Sequence, residues 1–407
     1  MSTRALLLLV GIIGGAELFV RGQLADSALA FHAGAWILAA SLVVVTRGRT
    51  AWLRRAAELF AAALVVLSLA ELVPARVAPA PPPSFSFTAS GGDPEAMRLF
   101  WGEHEHERKL LRGETPLAPA QRFSFFGRDV ELDALGLRRA DPPPEGAWRV
   151  VVVGDAATFG APQSEGERPW PEQLQLELEA GYTCTRRVAV RNAGRPGRTL
   201  QSLGANYELE VAPLEPDLLV VYPGIDAFDG LVPSGDSLHS TFPGARVSRW
   251  LTAIERPLRE RADARHLQAA LAVTPSPEQL KRSAAARRYR GLLLAAREHG
   301  VDVALVPLAL AVAGDTPEPV VRFHESVWPE ARVLAVANHN HGKLLPLLGA
   351  AYRAEVLAPD DDLDGAGQDG FVDLVSFTQQ GSERLARHVS RALAPLLKRG
   401  AGCEPRV

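Results

Sequence analysis

Four short segments carry the side chains with the most chemical interest. GDAATFG (154–160) places Asp155 and Ala156 directly after an apolar run, and NAGRPGRT (192–199) supplies Asn192 and Gly194. PDLLVVYPGIDA (216–227) brings in Asp226, and FVDLVSFTQQG (371–381) carries Asp373 and Ser376. Nucleophilic catalysis needs a reactive oxygen or sulfur within reach of a base, and near pH 7 that base is most often His. Position 156 is alanine, and none of the four segments holds a histidine. A literal GDSL at 235–238, followed by His239, offers Ser237 instead. It reads as a decoy, because LVPS precedes it where a nucleophile turn needs an apolar strand.

Other clusters read more blandly. His104 and His106 in GEHEHERK (102–109) face different ways on a helix, so a solvated charged helix is expected there. His339 and His341 in ANHNHGK are read as an exposed pair at a helix end. PDDDLDGAGQDG (359–370) spaces Asp360, Asp362 and Asp364 before Gly365, as a calcium loop begins, but its twelfth position is Phe371 and not a bidentate Glu. A solvated acidic loop is the expectation. Bound Ca2+ is the alternative cofactor, and it would order the rim beside Asp373.

The elements that must position these residues alternate. RVVVVGD (149–155), RVAVRNAG (187–194), PDLLVVYPG (216–224) and VDVALVPLAL (301–310) read as buried parallel strands. Helices are expected at about 170–180, 245–270, 278–299 and 382–398, with a further helical stripe through Leu200, Leu203, Tyr207 and Val211. That alternation predicts an α/β fold, a doubly wound parallel sheet covered on both faces. In such sheets the site lies beyond the C-terminal strand ends, where the four segments fall.

Taken in order, these segments resemble blocks I, II, III and V of the SGNH (GDSL) hydrolases. GLR (136–138) and the P-W-P start of the first helix also resemble membrane-anchored bacterial members of that family. The resemblance implies a flavodoxin-like sheet and an ancestral ester hydrolase or acyl-transfer role. It also implies a nucleophilic Ser at position 156, an oxyanion-hole Asn at 226 and a basic His at 376, with Asp373 orienting the base and Gly194 lending an amide. Ala156, Asp226 and Ser376 stand there instead. A carboxylate at 226 would repel an oxyanion, and Ser376 cannot act as a base near pH 7. The family counterpart of Thr158 is structural. The expectation is a catalytically degenerate domain whose ligand-binding residues are Asp155, Ala156, Asn192, Gly194, Asp226, Asp373 and Ser376. An active ester hydrolase or acyltransferase with a non-standard constellation is the alternative.

The chain has 407 residues and a net charge of −3, which argues against a dedicated nucleic-acid binder. Two cysteines exclude a disulfide scaffold and a four-thiolate zinc module. Lysine occurs only at 109, 281, 343 and 398, and this arginine bias is associated with GC-rich bacterial genomes. Residues 5–20, 28–45 and 56–74 form three nearly uninterrupted apolar stretches, each approaching the ~20 residues of a spanning helix. Glu17 and His32 lie within them, near their ends, and are read as snorkelling. Arg47, Arg49, Arg54 and Arg55 put the second loop in the cytoplasm by the positive-inside rule, and everything after residue 75 outside. A signal peptide over residues 1–16 is the alternative, with the same side for the C-terminal part.

The expected organisation is a membrane region (1–75), a Pro-rich linker and pre-domain segment (76–147) and the SGNH-like domain (148–400). It describes a multi-pass protein of the bacterial inner membrane. The expected partners are the membrane, an acylated polysaccharide or lipid, and an envelope protein; no nucleic acid is expected. Cys184 and Cys403 are expected at the N-terminal edge of the strands. An oxidising compartment would allow a bridge there, and the sequence leaves the pairing open.

Overall fold

The computed structural model describes residues 100–160, 168–231, 275–360 and 362–406, with a few single positions between 37 and 62. Apart from those single positions, the three apolar stretches lie outside the described residues, as do the Pro-rich spacer, Ser237 with its GDSL, and the helix expected at 245–270. Among the described residues no helix is long and apolar enough to cross a membrane.

The described chain begins with α1 (Glu105–Leu111) and a hairpin of β1 (Arg122–Phe125) and β2 (Arg128–Glu131). The first half of the sheet follows as β3 (Trp148–Gly154), α2 (Ala156–Phe159), α3 (Trp170–Gly181), β4 (Tyr182–Cys184), β5 (Val188–Gly194), α4 (Leu200–Ala205), α5 (Tyr207–Glu210) and β6 (Leu218–Tyr222). The second half is α6 (Pro277–Arg282), α7 (Ala284–Glu298), β7 (Asp302–Leu305), α8 (Glu318–Glu325), α9 (Ala331–Tyr352) and β8 (Glu355–Val356). The chain closes with α10 (Gln379–Ala392), α11 (Ala394–Ala401) and β9 (Cys403–Pro405).

The central sheet has five strands in the order β5-β3-β6-β7-β8, all parallel. Numbered by appearance within that sheet, the order is 2-1-3-4-5, the flavodoxin-like arrangement of doubly wound folds. Val150 to Val153 and Leu218 to Tyr222 are fully buried, as strands covered by helices on both faces must be. Gly154 stands in register with both Gly194 and Tyr222, so β3, β5 and β6 end level with one another. The segments that follow those ends therefore meet on one edge.

Several elements differ from the sequence reading. β7 stops at Leu305, although Val306 and Leu308 to Leu310 remain buried; that apolar run fills the core without a full strand ladder. Ser283 caps α7 by accepting from the Ala286 amide, which splits the helix expected at 278–299 in two. The last helix likewise divides at Leu393, with Pro395 near the start of α11.

α1 is solvated on one face only, because Leu110 and Leu111 are buried. His104 caps its start with its ring stacked on Phe100 at 4.3 Å. His339 and His341 lie in mid-helix on α9. His341 is fully buried, 2.9 Å from the Tyr289 hydroxyl through Nε2, and burial pushes its pKa down to about 3. It is a neutral core histidine and not one of an exposed pair.

At the N-terminal edge, β4 and β9 pair antiparallel with Cys184 opposite Cys403. The two form a disulfide, S–S 2.07 Å, across 219 residues of sequence. Closing so long a loop stabilises by about 5 kcal/mol in the chain-entropy model.

Candidate active site

β3 delivers Asp155 to the start of α2. The Asp155 carboxylate caps that helix, accepting from the Ala157 amide at 3.0 Å. Its other oxygen lies against Gly224, where an added Cβ would meet Oδ2 at 2.1 Å, so the turn after β6 has to carry glycine there. Gly194, at the end of β5, is equally constrained, since a Cβ would meet the Phe159 amide at 2.4 Å. Thr158 holds β6 from below, its hydroxyl donating to the Tyr222 carbonyl at 3.2 Å. Block I thus keeps its turn geometry without a serine, and Thr158 has the structural role expected of it.

Asp373 enters from the loop before α10. It is buried and accepts from the Val375 and Ser376 amides at 2.9 and 2.6 Å. Burial raises its pKa, against the lowering effect of those two amides. Asp155 is pushed up to about 7, first by burial and further by the Asp226 and Asp373 charges, while the Ala157 amide opposes the rise. Near neutral pH Asp155 is therefore poised between its two protonation states.

A cavity of about 100 Å³ collects these groups. Asp155, Ala156, Asp373 and Ser376 line it together with Trp101 and Trp328. The Ser376 hydroxyl and the Trp328 indole nitrogen are both fully buried beside the Asp373 carboxyl, whose pKa each pulls down. That is room for several waters or one small acyl group.

The remaining predicted site residues do not line this cavity. The Gly194 amide donates to Asn192 Oδ1 at 2.9 Å, so the amide that the family resemblance assigns to an oxyanion hole is already engaged. Asp226 turns the other way. Its Oδ2 accepts from the Leu200 amide at 2.8 Å and lies 3.7 Å from Arg288. Burial raises its pKa to about 6, with Leu200 and Arg288 pulling down. The acid at 226 thus caps α4, and its charge still reaches the site, where it helps raise the Asp155 pKa.

The pre-domain segment covers the site. Phe100, Trp101, Leu110, Leu111 and Phe125 form an apolar cluster with Ala156 and Phe159. Arg112 stacks over the Trp328 ring at 5.2 Å, and Arg195, from block II, donates to the Leu117 carbonyl at 2.7 Å. Gly113 packs directly on Gly197. Arg138 of the GLR motif reaches Glu172 on α3 at 3.2 Å and lies over Phe159 at 5.2 Å. Trp101, Arg108, Leu111 and Arg112 were missed as lining residues, because the local composition is dominated by charge. The adjacent aromatics Phe100 and Trp101 were the available signal.

The acidic loop does not assemble a cation site. Asp364 Oδ1 accepts from the Leu310 amide at 2.8 Å and from Asn338 at 3.3 Å, which fixes it to the core side of the loop. Asp360 faces His388 at 3.9 Å, and Asp362 is exposed. Among the described residues no three His, Cys, Asp or Glu side chains are grouped to hold a metal ion, which overturns Asp360, Asp362 and Asp364 as a joint Ca2+ set.

No family model and no curated sequence matches the chain. Solved structures similar to it include a lipase/acylhydrolase from Enterococcus faecalis, at 18% identity over 64% of this chain and 98% of that one, TM-score 0.35. Another is an acetylxylan esterase from Geobacillus stearothermophilus, at 14% identity over 61% and 95%, TM-score 0.38. The strand order carries the fold assignment: a doubly wound parallel α/β domain with the flavodoxin-like strand order.

Proposed function

We propose that this chain is a membrane-anchored, extracytoplasmic bacterial envelope protein whose SGNH-type domain has lost its serine-ester chemistry and acts by binding. Its ligand is an acylated glycan or lipid, or an envelope partner protein. The observation that carries this reading is the environment of position 156. The alanine methyl sits in an apolar cluster beneath the segment from Phe100 to Leu111, and no histidine lines the cavity beside it. A cavity of about 100 Å³ suits the acyl tip of an acylated ligand. The Cys184–Cys403 bridge supports an oxidising compartment, in keeping with the arginine-rich loop at 46–55.

The second reading, an active hydrolase, is favoured by one observation: Asp155 titrates near 7 within a cavity, where a general base is most effective. Turnover of a short-chain nitrophenyl ester by the purified full chain separates the two. Background rates are expected for the wild type. Turnover that survives Ala156→Leu and is lost in Asp155→Asn would establish the second reading. A reporter fused after residue 85 tests the topology, and it should work only if it functions outside the cytoplasm; cytoplasmic activity would overturn the orientation.

A further inference from the structure

A second concavity lies on the face of α10, apart from the site described above. Arg384, Arg387, His388 and Arg391 share one face of that helix, at the spacing that stacks side chains one turn apart. Opposite them, Asp360 and Asp362 complete a polar depression of about 430 Å³. This volume falls within the ~300–1,000 Å³ of small-molecule sites.

Its charges are unequally used. Arg387 reaches Glu177 at 3.6 Å. His388 Nε2 is held at 2.8 Å by the Ala358 carbonyl, which leaves Nδ1 toward Asp360 at 3.9 Å. Arg384, Arg391 and Asp362 make no side-chain hydrogen bond or ion pair among the described residues. Two unpaired guanidiniums within one depression form a ready grip for a carboxylate, sulfate or phosphate group, which guanidinium binds through two parallel hydrogen bonds.

The acidic wall narrows the ligand class. A compact polyanion would be repelled by Asp360 and Asp362. An extended polyol with a single anionic group per unit satisfies both walls, since carboxylates accept hydroxyl protons while guanidiniums take the anion. We propose that this depression binds an acidic saccharide, with Arg384 and Arg391 on its anionic group and Asp362 accepting from its hydroxyls.

Calorimetric titration of the purified full chain tests this with three probes: trigalacturonate, neutral maltotriose and inorganic phosphate. Trigalacturonate should bind at least about tenfold more tightly than either of the others, and Arg384→Gln with Arg391→Gln should weaken it by at least about tenfold. Asp362→Asn should weaken trigalacturonate and, by removing a repelling charge, strengthen phosphate. An unchanged melting temperature in each variant shows that the fold is kept. No binding of trigalacturonate would overturn the proposal, as would equal binding by the double variant. Phosphate binding as tight as that of the saccharide would also overturn it and leave a simple anion site only.

Discussion

The N-terminal edge of the sheet and its C-terminal edge treat their polar groups in opposite ways. At the first, Cys184 and Cys403 are joined, and Asp217 accepts from the Arg149 amide at 2.8 Å and from Arg186 at 3.4 Å. Arg186 also donates to the Gly146 and Ala147 carbonyls. At the second, Asp155, Asp226 and Asp373 all have raised pKa values, and Asn192 Nδ2 is buried without a partner. Uncompensated polar groups cost stability, and active sites are where folds tolerate them. The C-terminal edge carries that cost, while the disulfide edge stabilises the domain.

The largest effect should come from breaking the stabilised edge. Cys403→Ser should lower stability by about 4–5 kcal/mol and the melting temperature by roughly 10 °C or more, read by thermal unfolding of the full chain. A loss below about 1 kcal/mol would remove the contrast. Opening the covered edge comes next. Trp101 is buried in the cluster over Ala156, and Trp101→Ala should cost about 3 kcal/mol, read as a lower denaturant midpoint at constant slope.

Protonation sharpens the comparison. The folded Asp155 pKa of about 7 lies above its ordinary 3.8, so its contribution is full below about 4 and is lost as pH rises through 7. Asp155→Asn keeps an acceptor for the Ala157 amide. It should therefore raise stability at pH 8 by about 1–2 kcal/mol and flatten the dependence between pH 5 and 8, followed by melting temperature against pH. The smallest effect has the opposite sign in pH. His324 is fully buried, neither ring nitrogen has a partner, and burial depresses its pKa to about 3. Its contribution is full above about 6.5 and is lost as pH falls toward 3, so His324→Phe should protect the domain by about 1 kcal/mol at pH 5. A variant that melts with an unchanged acid limb would contradict that assignment.

Much of this frame was legible in residues. β3, β5 and β6 stand out as apolar runs closed by Gly-Asp, Asn-Ala-Gly and Tyr-Pro-Gly, and three of the four blocks fall at their ends. α9 was hidden because Asn338, Asn340 and His341 are buried on its inward side and interrupt the apolar period. β8 has only two residues, too few to show alternation. At the site, side-chain identity told what chemistry was missing. It did not tell where Asp226 would point, because that depends on the Leu200 amide and Arg288, which are distant in sequence. Nor could charge patterning reveal that the segment around α1 buries an apolar face on Ala156.

The central claim is that the catalytic frame persists while its reactive groups have been replaced. Intact-mass labelling with a small fluorophosphonate tests it most directly, comparing the wild type, the single variants Ala156→Ser, Asp226→Asn and Ser376→His, and the triple variant. A serine hydroxyl at 156 needs a base from position 376, oriented by Asp373, before it can attack. The account predicts no adduct on the wild type or on any single variant, and an adduct at position 156 of the triple variant. Labelling of the wild type, or a triple variant that melts normally and stays unlabelled, would contradict it.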